Sequence, residues 1–314
     1  MKLPSHPDLS KDSHSKMNNR FFRFVIRLSG LLLLLVNRTN GTLMSMGKKR
    51  SYLLYVPETY NPTTPTSLVI SLHGFAEWPA HQMQISRWND LARQHGFIVV
   101  YPCGTELPLR WRIYDFSGSD TELMEDVTFI SDLIDKLEAE YNLDPTRIYV
   151  NGLSNGGGMA ITLSCKLPER IAAVGSVAGA YPFSVSECQP SRPVPTIVFH
   201  GTGDPIVPYL GGQAGASGFS MPSIPDWVAE LAQYYGCANE PNKLPAIGAV
   251  QGIQFADCAQ NSDVVFYSIE GGGHSWPGGG SLPRIIVGNT NRDIDATEMM
   301  WDFFRQHPLP EDEQ

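Results

Sequence analysis

The run Ile148-Tyr149-Val150-Asn151-Gly152-Leu153-Ser154-Asn155-Gly156-Gly157-Gly158 decides the fold. Its β-branched and aromatic opening, Ile148 to Val150, reads as a short strand. The chain then breaks at Gly152-Leu153-Ser154-Asn155-Gly156, and Met159, Ile161 and Leu163 begin an apolar segment with helical spacing. Strand, sharp turn and helix is the arrangement that presents a serine on a strained tip. The residues two before and two after such a serine must lack side chains, and Gly152 and Gly156 meet that demand. The helix behind Ser154 aims free N–H groups and its positive dipole end at any negative charge developing there.

Working outward, buried strands alternate with helices. Ser51–Val56 and Ser67–Leu72 read as strands, Met83–His95 as a helix stopped by Gly96, and Phe97–Tyr101 as a continuous apolar strand. A long helix over 122–141 carries apolar residues at 123, 127, 130, 134, 137 and 141 on one face. Beyond the serine turn, 171–177 and 195–199 read as strands, 210–223 as a surface loop, 224–235 as a helix, 263–269 as the last strand and 296–306 as a closing helix. This alternation predicts an α/β domain with a mostly parallel sheet covered on both faces, its active site at the C-terminal ends of the strands.

Three strand ends then supply serine, acid and histidine in order. Asp204 follows the strand ending at His200-Gly201, and His274 follows Gly271-Gly272-Gly273. The order Ser154, Asp204, His274 is that of an α/β-hydrolase sheet and differs from the chymotrypsin-like and subtilisin-like orders. The glycine run is expected to give the His274 loop freedom to bring its imidazole over Ser154. Two amides are expected to form the oxyanion hole, those of Phe75 and Asn155. Trp78 and Trp276 are candidates for an aromatic wall around substrate. His73 and His200, each before a glycine at a strand end, are read as loop ties rather than catalysts, His95 as a residue at a helix C-terminus, and Asp126 as structural.

Composition narrows the partners. Of 23 basic residues ten precede Ser51, where only two of the 32 acidic ones lie, so the rest has 13 basic against 30 acidic residues, a net charge of −17. Such a body repels nucleic acid and anionic membrane and suits a neutral substrate with an anionic product. The five cysteines, at 103, 165, 188, 237 and 258, lack the short paired spacing of a zinc site, so no metal and no cofactor are expected. Given an export signal they read as one or two disulfides, Cys237 with Cys258 first and Cys165 with Cys188 second, leaving Cys103 free; all five reduced is the alternative.

Residues 1–40 read as a polar tail and a signal peptide. Arg20, Arg23 and Arg27 precede the leucine run 31–35, which is shorter than the roughly 20 residues of a spanning helix. An uncleaved membrane anchor is the alternative, because no small-x-small cleavage site follows Val36. The remainder, 41–314, is expected to form one catalytic domain.

With these residues in hand, the chain resembles the esterase family of polyhydroxybutyrate depolymerases and feruloyl or acetylxylan esterases. The resemblance runs from about Arg50 to Phe304 and is carried by Leu72-His73-Gly74, Gly96 to Pro102, Gly152 to Gly157, His200-Gly201-Thr202-Gly203-Asp204 and Gly272 to Gly278. It implies an α/β-hydrolase fold, a secreted metal-free enzyme, and a triad at the positions of Ser154, Asp204 and His274. The implied activity is hydrolysis of feruloyl, aryl or carbohydrate-linked esters, with polyhydroxybutyrate or its oligomers as the alternative. Cys103 departs from the family's usual polar residue, and no appended polymer-binding module is visible, which tells against solid polymer. A catalytically silent binding protein on the same fold is the non-enzymatic alternative.

Overall fold

The computed structural model describes residues 38–113, 121–214, 219–280 and 283–310. The tail and signal or anchor expected over 1–40 therefore lie almost wholly outside the described residues.

The strands β1 (Gly41–Ser45), β2 (Lys48–Tyr55), β3 (Thr66–Leu72), β4 (Ile98–Pro102), β5 (Leu143–Leu153), β6 (Ala173–Val177) and β7 (Thr196–Gly201) share one sheet with β10 (Asn242–Lys243), β11 (Val250–Phe255) and β12 (Val264–Ile269). A separate short pair, β8 (Gly212–Gln213) and β9 (Ser220–Met221), occupies part of the expected 210–223 loop. The spatial order in the large sheet is β1-β2-β4-β3-β5-β6-β7-β12-β11-β10. From β4 to β12 all neighbours are parallel, and antiparallel strands close both edges. The predicted parallel core is present, and the loops after β3, β5, β7 and β12 emerge along one edge of it.

Both faces of the central strands are buried because successive side chains point to opposite sides. Leu68, Ile70, Leu72, Ile148 and Val150 pack on one face against Val127, Ile130 and Ile134 of the long helix Thr121–Glu140. Val69, Val99, Tyr101 and Tyr149 pack on the other against Trp88, Trp301 and Phe304. There Tyr149 stacks on Phe304 with centroids 4.9 Å apart, beneath the closing helix Ala296–Phe304.

Three expectations change. Met83–His95 is two helices, Pro79–Ser86 and Trp88–His95, divided at Arg87 with φ 59°. Helical bonding fails there because the Ser86 carbonyl accepts the Thr297 hydroxyl while the Ser86 hydroxyl bonds back to Gln82 O at 2.7 Å. The chain also joins the sheet earlier than Ser51, since β1 pairs with β2 from Gly41. Finally, the stretch between Cys237 and Cys258, to which the sequence assigns no element, contains β11, which pairs antiparallel with β12 from Val250–Ile269 to Phe255–Val264. Cys165–Cys188 and Cys237–Cys258 are both disulfides, and Cys103 is a buried thiol.

Candidate active site

Ser154 stands between β5 and the helix Asn155–Lys166 with φ 56° and ψ −117°, a conformation that costs a non-glycine residue energy. Close packing holds it there. A Cβ on Gly152 would lie 2.4 Å from the Gly156 carbonyl, and one on Gly156 would lie 2.3 Å from Leu72 O. The serine's own backbone is anchored from both sides, Ser154 N–H donating to Val177 O at 2.9 Å and Ala180 N–H donating to Ser154 O at 3.1 Å. The tip is half-buried and stays reachable. As the first helical residue, Asn155 has an N–H with no partner within the helix.

Asp204 lies past the end of β7, its carboxylate fully shielded from solvent. One oxygen accepts the backbone N–H groups of Ile206 and Val207 at 2.8 and 2.9 Å, and the other accepts His274 Nδ1 at 2.8 Å. Burial alone would raise this carboxyl's pKa, but the adjacent His274 and His200 rings and the Val207 amide outweigh it and hold the group below the ordinary carboxylate value. His274 sits on the loop after β12, and its glycines work differently from the expected freedom. A Cβ on Gly273 would lie 2.0 Å from Val287 O, while Gly273 N–H donates to Asn289 O and His274 N–H to Val287 O. Gly273 lets the 287–289 segment approach closely enough to pin the loop.

The two supporting histidines tie loops together. His73 donates from Nδ1 to Gly74 O at 2.8 Å and accepts the Gly104 N–H on Nε2 at 2.9 Å, so both nitrogens are committed in the neutral form. Burial pushes its pKa down to about 4. His200 donates from Nε2 to Val207 O at 2.9 Å, bracing the acid loop, and burial lowers its pKa as well. Asp126 forms a buried ion pair with Arg50 at 2.8 Å.

Among the remaining candidates, Phe75 follows β3 and is 43% exposed, and its N–H takes no acceptor among the described residues. The Asn155 side chain faces away from chemistry, exchanging hydrogen bonds with both the N–H and C=O of Trp111 at 2.7 and 2.9 Å. Trp78 is half-buried beside His81, their ring centroids 5.1 Å apart. Trp276 does not form an open wall. It is fully buried and donates its indole N–H to Thr297 Oγ1 at 2.9 Å, because the loop after His274 folds back into the core. Trp111, absent from the predicted set, donates its indole N–H to His73 O at 3.0 Å and so links the Asn155 side chain to the β3 loop. That role depends on tertiary contacts, and no local pattern announces it.

Known proteins share this fold and parts of this sequence. Residues 50–189 match the family described as esterase PHB depolymerase. The chain is 34% identical over 163 residues to the bifunctional acetylxylan esterase/xylanase XynS20E of Neocallimastix patriciarum, spanning 52% of this chain and only 22% of that protein. It is 27% identical over 263 residues to a probable feruloyl esterase C of Aspergillus flavus, spanning 81% and 83% of the two chains. The solved acetyl xylan esterase from Aspergillus awamori superposes with a TM-score of 0.60 over 82% of this chain and 94% of that one, at 16% identity, a likeness of fold. In fold the chain is thus like a solved esterase, and in sequence it is similar over residues 50–189 to the esterase PHB depolymerase family and over most of its length to a probable feruloyl esterase.

Proposed function

We propose that the protein hydrolyses carboxylic esters through an acyl-enzyme on Ser154. The observation that carries this reading is the 2.8 Å contact between Asp204 and His274, made at the strand edge that also holds the strained Ser154 tip. His274, held by Asp204 through Nδ1, takes the Ser154 proton on Nε2 as the hydroxyl attacks the ester carbonyl, and returns it to the leaving alcohol. The free N–H groups of Phe75 and Asn155 receive the oxyanion, aided by the positive end of the helix behind Ser154. Water then attacks the acyl-enzyme with His274 again as base, releasing the acid.

Feruloyl, aryl and related carbohydrate-linked esters are the first substrate class, on the strength of the names its relatives carry. The match to the PHB depolymerase family favours short hydroxyalkanoate oligomers as the second reading. Residues 41–314 act as one catalytic domain. Two disulfides fit an oxidising compartment, so the protein is read as exported, either released or held by its N-terminal segment. Among the described residues no helix is long and apolar enough to cross a membrane.

Acid release from methyl ferulate and from a soluble 3-hydroxybutyrate oligomer, compared between wild type and Ser154→Ala, tests the reading. Release that the substitution abolishes supports it, and the faster substrate selects the class. Release that survives the substitution removes it.

A further inference from the structure

The segment Gly74–Glu77 follows β3 and carries four backbone N–H groups, three of which are taken. Gly74 N–H donates to the Glu77 carboxylate at 2.9 Å, Ala76 N–H to Leu109 O at 2.8 Å, and Glu77 N–H to Gly74 O at 3.2 Å. Phe75 N–H is the one left over among the described residues. Its direction is not arbitrary. The Gly74–Phe75 peptide is a rigid plane in which C=O and N–H point opposite ways. The Gly74 carbonyl is clamped by two donors, Glu77 N–H and His73 Nδ1, so the Phe75 N–H is aimed to the other side.

Glu77 holds this peptide from both ends. Its backbone grips the Gly74 carbonyl, while its side chain grips the N–H of the preceding peptide. Its second carboxylate oxygen faces His81 Nδ1 at 3.5 Å, and its side chain is only 18% exposed. A carboxylate beside a developing oxyanion opposes that charge, so Glu77 can assist the reaction only as a hydrogen-bond acceptor that holds the turn and not as an anion.

From this accounting we propose that Glu77 is a positioning residue of the reaction: its carboxylate closes the Gly74–Glu77 turn and fixes the Phe75 N–H as an oxyanion donor. The inference rests on the esterase reading given above. The acceptor oxygen, not the negative charge, carries the role. Loss of the acceptor therefore weakens binding of the transition state more than binding of the ester itself.

The test compares Glu77→Gln, which keeps an acceptor oxygen, with Glu77→Met, which keeps the length and removes it. Wild type and Ser154→Ala are assayed beside them on p-nitrophenyl acetate, and phenylboronic acid serves as the tetrahedral analogue. The Glu77→Met substitution is expected to lower kcat about 10- to 100-fold with KM within about threefold, less than loss of a whole oxyanion donor. Boronate affinity falls in parallel, while Glu77→Gln stays within about threefold of wild type on both measures. Unchanged kcat in Glu77→Met, a loss confined to KM, or a Glu77→Gln protein as impaired as Glu77→Met would each overturn the proposal. With Ser154→Ala inactive, any of these leaves the esterase reading standing. Hydrolysis unaffected by Ser154→Ala would remove that reading, and the role of Glu77 with it.

Discussion

Asp204 Oδ2 accepts His274 Nδ1 at 2.8 Å while Asp204 Oδ1 is held by two backbone N–H groups. The carboxylate is thus fixed on one side so that the other can orient the imidazole. Asparagine at 204 would keep its carbonyl on the two amides and turn an NH2 toward His274, forcing the ring into the wrong tautomer. Asp204→Asn is expected to fold normally and lose about 10⁴-fold in kcat. Steady-state kinetics beside a circular dichroism spectrum check this, and a loss below tenfold would contradict the assigned role.

His73 makes stability depend on pH. Its folded value of about 4 lies below the ordinary 6.5, so between those values the unfolded chain binds more protons. Stability is complete above about 6.5 and is lost as pH falls toward about 4, by about 3 kcal/mol at most. The lowered His200 adds in the same sense, whereas the depressed Asp204 carboxyl acts at lower pH, below the usual carboxylate range. Melting temperatures measured from pH 7 to pH 4.5 should fall, and His73→Gln should flatten part of that slope.

Trp276 belongs to the core, and replacing it tests that placement. Trp276→Phe deletes the indole N–H bond to Thr297 and should destabilise the fold by about 1–2 kcal/mol. KM for a small ester should not move. A raised KM with unchanged stability would return Trp276 to the substrate wall.

The two disulfides close loops with separations of 23 and 21 residues. Restricting the unfolded chain over such lengths contributes about 3 kcal/mol each. Paired serine substitutions at Cys237 and Cys258 should lower the unfolding free energy by that amount without changing kcat. Cys103→Ala supplies the comparison in which no disulfide is lost.

Most of the scaffold was legible because the central strands are buried on both faces and read as unbroken apolar runs, as in Phe97–Tyr101 and Ile148–Val150. The Ser154 turn was legible for a steric reason, since side chains at 152 and 156 would strike backbone. The strand Val250–Phe255 is not legible because Val-Gln-Gly-Ile-Gln-Phe keeps no period of two: Val250 and Ile253 fall on opposite parities, and Gly252 and two glutamines dilute the apolar run. The break at Arg87 was illegible for a different reason. It depends on a hydroxyl 211 residues away, Thr297, capturing the Ser86 carbonyl. Trp276 misled because an aromatic residue beside a histidine at a strand end has no local mark of whether it turns toward substrate or core.

The central claim is that Ser154 is the nucleophile. Intact-mass and peptide mass spectrometry after treatment with a p-nitrophenyl alkylphosphonate tests it most directly. One adduct on the peptide containing Ser154, absent from Ser154→Ala and matched by loss of ester hydrolysis, is the predicted result. Labelling and hydrolysis that persist in a folded Ser154→Ala protein would contradict it.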